Sequence, residues 1–126
     1  MDDSTNDQTR ITILHHSATL SGLRDQGTPA HPRSEPPCRL SGIDVTLSGA
    51  GDNACGIWEC TPGRFLRQLA EAEVMHVLTG RGRFTPTHGE PIEFGAGDTL
   101  FFPAYTTGEW QIEEALRKVF VVMAAH

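Results

Sequence analysis

The sequence predicts an all-β fold, and three observations support that class. Short apolar runs recur about every 8–12 residues from Gly42 onward, the spacing typical of a β-sandwich or barrel rather than of a parallel α/β sheet. Each run is bounded by Gly, Pro, Asn or Asp, the residues that form turns. No segment keeps a helical period, and only residues 113–116 are expected to make a single helical turn.

The expected strands follow one another closely. We predict them over residues 43–48, 55–60, 64–69, 73–79, 82–86, 91–94, 99–103, 109–112 and 116–123. The segments Thr87–Glu90 and Gly95–Asp98 are expected to be turns, because glycine tolerates the positive φ that tight turns need.

The first 38 residues differ from the rest. Residues 1–10 are polar and typical of a disordered segment, and Ile11–Leu14 is a short apolar strand candidate. Residues 21–37 contain Gly27 and four prolines, a composition that predicts a loop or an arm on the surface. We therefore divide the chain into a flexible N-terminal arm with one short strand, 1–38, and a folded domain, 39–126.

Length and charge exclude several functions. A chain of 126 residues can form one domain with a core. The formal net charge is −6 with 10 Lys+Arg that are scattered, whereas DNA and RNA are bound by a concentrated positive face. No apolar run reaches the roughly 20 residues of a membrane span, and the acidic start lacks the pattern of a signal peptide. We expect a cytoplasmic protein with no nucleic-acid and no membrane partner.

Cys38, Cys55 and Cys60 are expected to be reduced thiols, because an odd number is a poor disulfide framework. Cys55 and Cys60 are five residues apart in a predicted strand, so their side chains point to opposite faces and do not form a shared zinc site. His15 and His16 are adjacent and are expected to be solvated for the same geometric reason.

Six segments resemble one known family. They are Gly56-Ile-Trp-Glu-Cys-Thr-Pro-Gly63, Glu73-Val-Met-His-Val-Leu-Thr-Gly80, Phe94-Gly-Ala-Gly-Asp98, Phe102-Pro103, Gly108-Glu-Trp110 and Arg117-Lys118. In this order and spacing they are similar to the small single-domain cupins related to the cupin domain of (S)-ureidoglycine aminohydrolase, over about residues 40–123. The resemblance implies a cupin double-stranded β-helix, or jelly-roll barrel, and a homodimer.

The chain departs from the metal-binding members of that family. Those cupins carry two histidines shortly before the acid that matches Glu73, and another after the proline of the second motif. Here the first window is Leu66-Arg-Gln-Leu69, and Gly108 takes the second place. Because a cupin metal site combines imidazole with carboxylate, we expect no conventional metal centre and no cofactor. The manganese-dependent reaction of ureidoglycine aminohydrolase is therefore not carried over.

Glu73 is the first candidate for chemistry. Side chains alternate along a strand, so Glu73, Met75 and Val77 share a face, and the resemblance implies that this face lines the barrel interior. A buried carboxylate needs a partner, for which Lys118 is the first choice and Arg67 the second. We assign Glu73 and Lys118 as candidate catalytic residues, with Glu73 acting as a general acid or base or as an anchor for a cationic group. The alternative is a structural ion pair that fixes the strand register.

The candidate ligand-binding residues are Arg67, Met75, Tyr105, Trp58 and Trp110. The two tryptophans either stack on a planar ligand or belong to the core or an interface. Tyr105, in a loop near the barrel mouth, either donates to a ligand or covers the core edge. His76 is three residues from Glu73 and therefore lies on the opposite face, and His88 is expected to be solvated in a turn.

Three functions remain open from the sequence. The first is binding of a small polar metabolite in the barrel without a conventional metal. The second is an enzyme that acts on a small nitrogenous or carboxylated metabolite by acid–base chemistry or through an unusual metal site. The third is a structural or assembly protein with a packed barrel. An open cavity with convergent polar groups favours the first two. We also expect a homodimer, because the apolar Ile11–Leu14 lies outside the barrel and needs a surface to cover it.

Overall fold

The computed structural model describes residues 10–124, which form eight β-strands and no helix, and hence no helix that could cross a membrane. The strands are β1 (Arg24–Gly27), β2 (Leu40–Val45), β3 (Ala54–Cys60), β4 (Gly63–Leu69), β5 (Ala72–Pro86), β6 (Ile92–Gly95), β7 (Thr99–Phe102) and β8 (Thr106–Met123). Every pairing between them is antiparallel. The all-β prediction is confirmed.

Two long strands, β5 and β8, are shared by two sheets. In the first sheet, the first half of β5 lies between β7 and the end of β8, and the sheet continues from β8 through β3 and β2 to β1. In the second sheet, the second half of β5 lies between β6 and the start of β8, and β4 pairs with the other side of β8. The pairing register of β5 and β8 shifts between Val77 and Gly82, where both strands pass from one sheet to the other. The result is the jelly-roll barrel that the sequence predicted.

Aromatic side chains from both sheets fill one end of the barrel. Phe84 lies 5.0 Å from Trp110 and 5.4 Å from Phe102, measured between ring centroids, and Phe94 lies 5.5 Å from Trp110. All four rings are buried. Edge-to-face contacts of this kind stabilise a core beyond the burial of apolar area.

Several predicted elements are wrong in detail. Ile11–Leu14 is not a strand, and Ile11 and Ile13 are exposed. The segment 21–37, expected to be a loop, contains β1, which pairs with β2. Residues 113–116 continue β8 instead of making a helical turn, because Glu113 and Glu114 pair with Arg81 on the neighbouring strand β5.

Two pairs of predicted strands are in fact single strands. Residues 73–79 and 82–86 belong to β5, and residues 109–112 and 116–123 belong to β8. Gly80 does not end the strand. Its φ is +88°, and a Cβ there would lie 2.1 Å from the carbonyl oxygen of Ala115, so glycine allows the two long strands to stay paired through the bend.

Residues 10–20 lie against the outer face of the first sheet. Arg117 holds them there by donating to the carbonyl oxygens of Ser17 and Leu20, at 2.9 and 2.7 Å, while it also binds Glu59. Leu14 lies beside Ile57, whose side chain is buried although it points outward from the barrel. The division of the chain near residue 38 stays a prediction, and residues 1–9, expected to be disordered, lie outside the described residues.

Candidate functional site

A small cavity inside the barrel is lined by two buried charged residues, Glu73 and Lys118, and by the exposed Arg67. It has a volume of about 80 Å³, enough for a few water molecules or a small organic molecule. It is lined by Trp58 of β3, Phe65 and Arg67 of β4, Glu73 of β5, and Trp110, Lys118 and Phe120 of β8. We call these seven residues the lumen site.

Glu73 and Lys118 form a buried ion pair at this site. Lys118 Nζ donates to Glu73 Oε2 at 2.7 Å, and the two side chains are 8% and 3% exposed. Alternation along β5 turns Glu73, Met75 and Val77 inward, and all three are buried. The structure therefore brings together the two candidate catalytic residues, whose catalytic role stays a prediction.

Lys118 lies among aromatic rings. Its Nζ is 4.6 Å from the ring centroid of Trp58, 5.6 Å from that of Trp110 and 5.9 Å from that of Phe120. Such contacts are attractive for an ammonium group, but they do not replace its hydration. Burial accordingly lowers the pKa of Lys118 from its usual 10.5, although the neighbouring Glu73 carboxylate opposes that shift.

Arg67 gives the lumen site an excess of positive charge. It lies on β4, two residues after Phe65 and on the same face, but unlike Phe65 it is exposed to solvent. Its guanidinium contributes to the lowered pKa of Lys118. Within residues 10–124 we find no ion-pair partner for Arg67. Two cations and one carboxylate therefore share the site.

The remaining predicted site residues fall into two groups. Trp58 and Trp110 line the lumen site, Trp58 as a wall over Lys118 and Trp110 as a member of the core. The structure does not bring Met75 and Tyr105 to this site. Met75 is fully buried in the core and lines none of the cavity, while Tyr105 is 81% exposed beside a different cleft.

Sequence analysis did not identify two residues that line the site, and it overlooked one feature of the composition. Phe65 and Phe120 face the cavity, and alternation from Arg67 and from Lys118 places them there. The missed signal is in the composition: Lys118 is the only lysine of the chain, because nine of the 10 Lys+Arg residues are arginine. A chain that otherwise uses arginine places its single lysine inside the barrel.

The donor set does not fit the divalent metal typical of cupins. The lumen site offers one carboxylate, which is already bonded to an ammonium group, and its lining contains no imidazole or thiol. At Gly108, the place of the second-motif histidine, a Cβ would lie 2.6 Å from the ring of Phe84. No group of three or more His, Cys, Asp and Glu within residues 10–124 is placed to hold a metal.

Two of the cysteines are neighbours beneath the lumen site. Cys38 and Cys60 are both buried free thiols, and Cys60 Sγ donates to the carbonyl oxygen of Thr61. Burial raises the pKa of both, so they stay protonated. Cys55 points to the opposite face of β3, as the spacing predicts. His76 also faces outward, where its Nδ1 is 2.8 Å from the hydroxyl of Thr99.

A second, larger cleft lies at the open seam between β6 and β7. It has a volume of about 520 Å³ and a largely apolar lining that includes Phe84, Ile92, Phe101 and Tyr105. Its polar side-chain groups are threonine hydroxyls, the hydroxyl of Tyr105 and the imidazole of His88, and within residues 10–124 none of its lining residues forms an ion pair. We regard the lumen site as the functional candidate despite its smaller size, because a buried ion pair lines it together with the exposed guanidinium of Arg67.

Comparison with known proteins identifies the family. The family model described as the EutQ-like cupin domain matches residues 47–120, more than half of the chain. The chain belongs to this family. The EutQ-like domain is thus a small cupin, as its motifs suggested. No match was found among curated proteins.

Solved structures agree on the fold of this EutQ-like domain. A DUF861-family protein of unknown function from Pseudomonas syringae pv. tomato matches with a TM-score of 0.73 and 23% identity, over 82% of this chain and 45% of that one. The Salmonella typhimurium putative ethanolamine utilization protein EutQ matches with a TM-score of 0.62 and 24% identity, over 82% of this chain and 78% of that one. Clostridium difficile EutQ matches with a TM-score of 0.62 and 19% identity, over 76% of this chain and 78% of that one. The EutQ-like domain thus spans less than half the length of the Pseudomonas protein.

Proposed function

We propose that this EutQ-like cupin domain binds a small monocarboxylate metabolite at the lumen site, without a conventional histidine-based metal centre. The observation that carries the proposal is the buried Glu73–Lys118 ion pair at the wall of an open cavity. A structural ion pair needs no cavity beside it. A packed barrel, the structural alternative, has no room for one.

The charges at the site favour an anionic ligand. Lys118 has three N–H donors, of which Glu73 accepts one. The ligand carboxylate accepts from a second of these and from the guanidinium of Arg67, which fits carboxylate geometry well. A hydroxyl or amino group on the ligand then lies near Glu73, and the rings of Trp58 and Phe120 contact its apolar part.

The proposal is tested by thermal melting in the presence of lactate and of its neutral amide, lactamide. We expect lactate to raise Tm in a concentration-dependent way, because a ligand that binds only the folded state stabilises it, and lactamide to have no effect. Arg67→Gln should weaken the lactate effect at least about tenfold, in line with the loss of a charged hydrogen bond. Arg64→Gln, the same change on the same strand but outside the lumen site, is the control. Equal stabilisation by lactamide, or an unaltered response of Arg67→Gln, would contradict the proposal.

The specific relationship to (S)-ureidoglycine aminohydrolase stays a hypothesis from the sequence motifs. It is compatible with a small nitrogenous or carboxylated ligand but not with a manganese reaction, because the donor set lacks the necessary imidazoles. We also keep the cytoplasm as the proposed location, since three free thiols suit a reducing compartment.

We further propose a homodimer formed through the outer face of the first sheet. Phe101, Val74 and Val121 stand side by side across β7, β5 and β8 on that face, and Phe101 is 75% exposed. Met123, Ile11 and Ile13 add exposed apolar surface, and such patches are typical of interfaces. Light scattering at micromolar concentration should give a mass near twice 13.7 kDa. Phe101→Glu should shift that mass to the monomer value, and a monomer in the unaltered protein would refute the idea.

A further inference from the structure

The single lysine of the chain has the surroundings of a reactive amine. Lys118 Nζ borders the cavity, with aromatic rings on several sides and a carboxylate oxygen 2.7 Å away. An arginine would pair with Glu73 more firmly, because its guanidinium offers two parallel donors and cannot lose its proton. An amine at this position can release its proton and then act as a nucleophile.

We propose that Lys118 forms an imine with a small 2-oxo carboxylate held in the lumen site. This inference rests on the proposed function, since it requires that a carboxylate ligand enters the cavity. Arg67 binds the carboxylate of the ligand, and the neighbouring carbonyl carbon then faces Nζ. The cavity, about 80 Å³, restricts the ligand to a short carbon chain.

Glu73 supplies the proton transfers that the reaction needs. The proton between Nζ and Oε2 first moves to Glu73, which leaves a neutral amine and a carboxylic acid. The amine attacks the carbonyl carbon, a C–N bond forms, and the carbonyl oxygen takes up a proton from the nitrogen to give a carbinolamine. The nitrogen lone pair then forms the C=N bond as the C–O bond breaks, and the hydroxyl leaves as water with the proton of Glu73. An iminium ion beside a carboxylate replaces the original ion pair, so charge and atoms balance.

The surroundings of Lys118 support this chemistry. Burial lowers its pKa, which increases the fraction of neutral amine near neutral pH. The rings of Trp58 and Phe120 limit the access of water to the carbinolamine and the imine. Among residues 10–124, the titratable side chains that line the cavity are Lys118, Glu73 and Arg67. Because the guanidinium of Arg67 does not lose its proton, Glu73 serves as both the acid and the base.

Reductive trapping tests the inference directly. The protein is incubated with pyruvate and cyanoborohydride, and peptide mass mapping separates a label on Lys118 from one on the N-terminal amine. We expect Lys118 in the folded protein to be labelled at least about tenfold faster than Lys118 in the urea-unfolded chain, a lower bound for the effect of holding two reactants together. Glu73→Gln should reduce the rate in the folded protein towards the unfolded value. Equal or slower labelling in the folded protein overturns the inference.

The lactate melting experiment separates the two proposals. Stabilisation by lactate without preferential trapping at Lys118 rejects the imine and leaves carboxylate binding intact. Preferential trapping without stabilisation by lactate supports the imine and rejects the binding of carboxylates that lack a 2-oxo group. Lys118→Arg, which keeps a cation beside Glu73, should carry a label on the N-terminal amine alone, and a second labelled site in that variant would also count against the inference.

Discussion

Glu73→Gln is expected to lower the free energy of unfolding by about 3–5 kcal/mol at neutral pH, because it leaves the buried ammonium of Lys118 without its counter-charge. The substitution preserves the shape of the side chain, so the effect is electrostatic. Urea denaturation followed by tryptophan fluorescence measures it. Arg83→Gln, which breaks the exposed pair with Glu93 on the outer face of the barrel, serves as a control and should cost at most about 1 kcal/mol.

The deficit of Glu73→Gln should shrink as the pH rises. The pKa of Lys118 is lowered in the folded protein, so between that value and 10.5 the unfolded chain binds more protons than the folded one, and stability rises with pH. Loss of Glu73 removes the group that raises this pKa and extends the window to lower pH. A deficit that stays constant between neutral pH and 10.5 would show that Lys118 keeps its proton in the variant, contrary to our expectation.

Replacing both members of the ion pair should separate stability from binding. Lys118→Met alone leaves a buried carboxylate unpaired and should cost about 3–5 kcal/mol, whereas the double variant Glu73→Leu/Lys118→Met should recover most of that loss, since an apolar pair of similar volume often equals or exceeds a buried ion pair in stability. The same double variant should show no response to lactate. Urea denaturation of the unaltered protein, Lys118→Met and the double variant measures stability, and thermal melting of the same proteins with lactate measures binding.

Two outcomes would contradict this expectation. If the double variant is less stable than Lys118→Met, the loss of stability does not come from an unpaired buried charge. If the double variant is stabilised by lactate as strongly as the unaltered protein, the ligand binds elsewhere, and the cleft between β6 and β7 becomes the place to look.

The period of two along a β-strand explains what the sequence could predict. It placed Glu73 and His76 on opposite faces of their strand, and the family resemblance implied that the Glu73 face is the interior. The structure confirms both, with Lys118 as the partner of Glu73. The same rule also indicates Phe65 and Phe120, which were overlooked. Short-range patterns are sufficient for these positions because the direction of a side chain depends only on its own strand.

Other features depend on contacts far apart in the chain. A glycine after an apolar run, such as Gly80, is typical of a strand end. In the structure Gly80 instead lies in a bend of β5, where β8 comes so close that only glycine fits. Tyr105 follows the second motif as expected, yet the loop turns it towards the seam between β6 and β7. Residues 113–116 have no strand pattern of their own and are held in β8 by Arg81. Such pairings between strands are not visible in a local pattern.

The most direct measurement uses the fact that Lys118 is the only lysine. Protein labelled with ¹⁵N at the lysine side chain gives one Nζ signal in an NMR spectrum, and its pH titration reports the pKa of Lys118 alone. We predict a pKa below 10.5 and a change in the signal on addition of lactate but not of lactamide. An Nζ signal that titrates at the usual value and does not respond to lactate would contradict a ligand site at the Glu73–Lys118 pair.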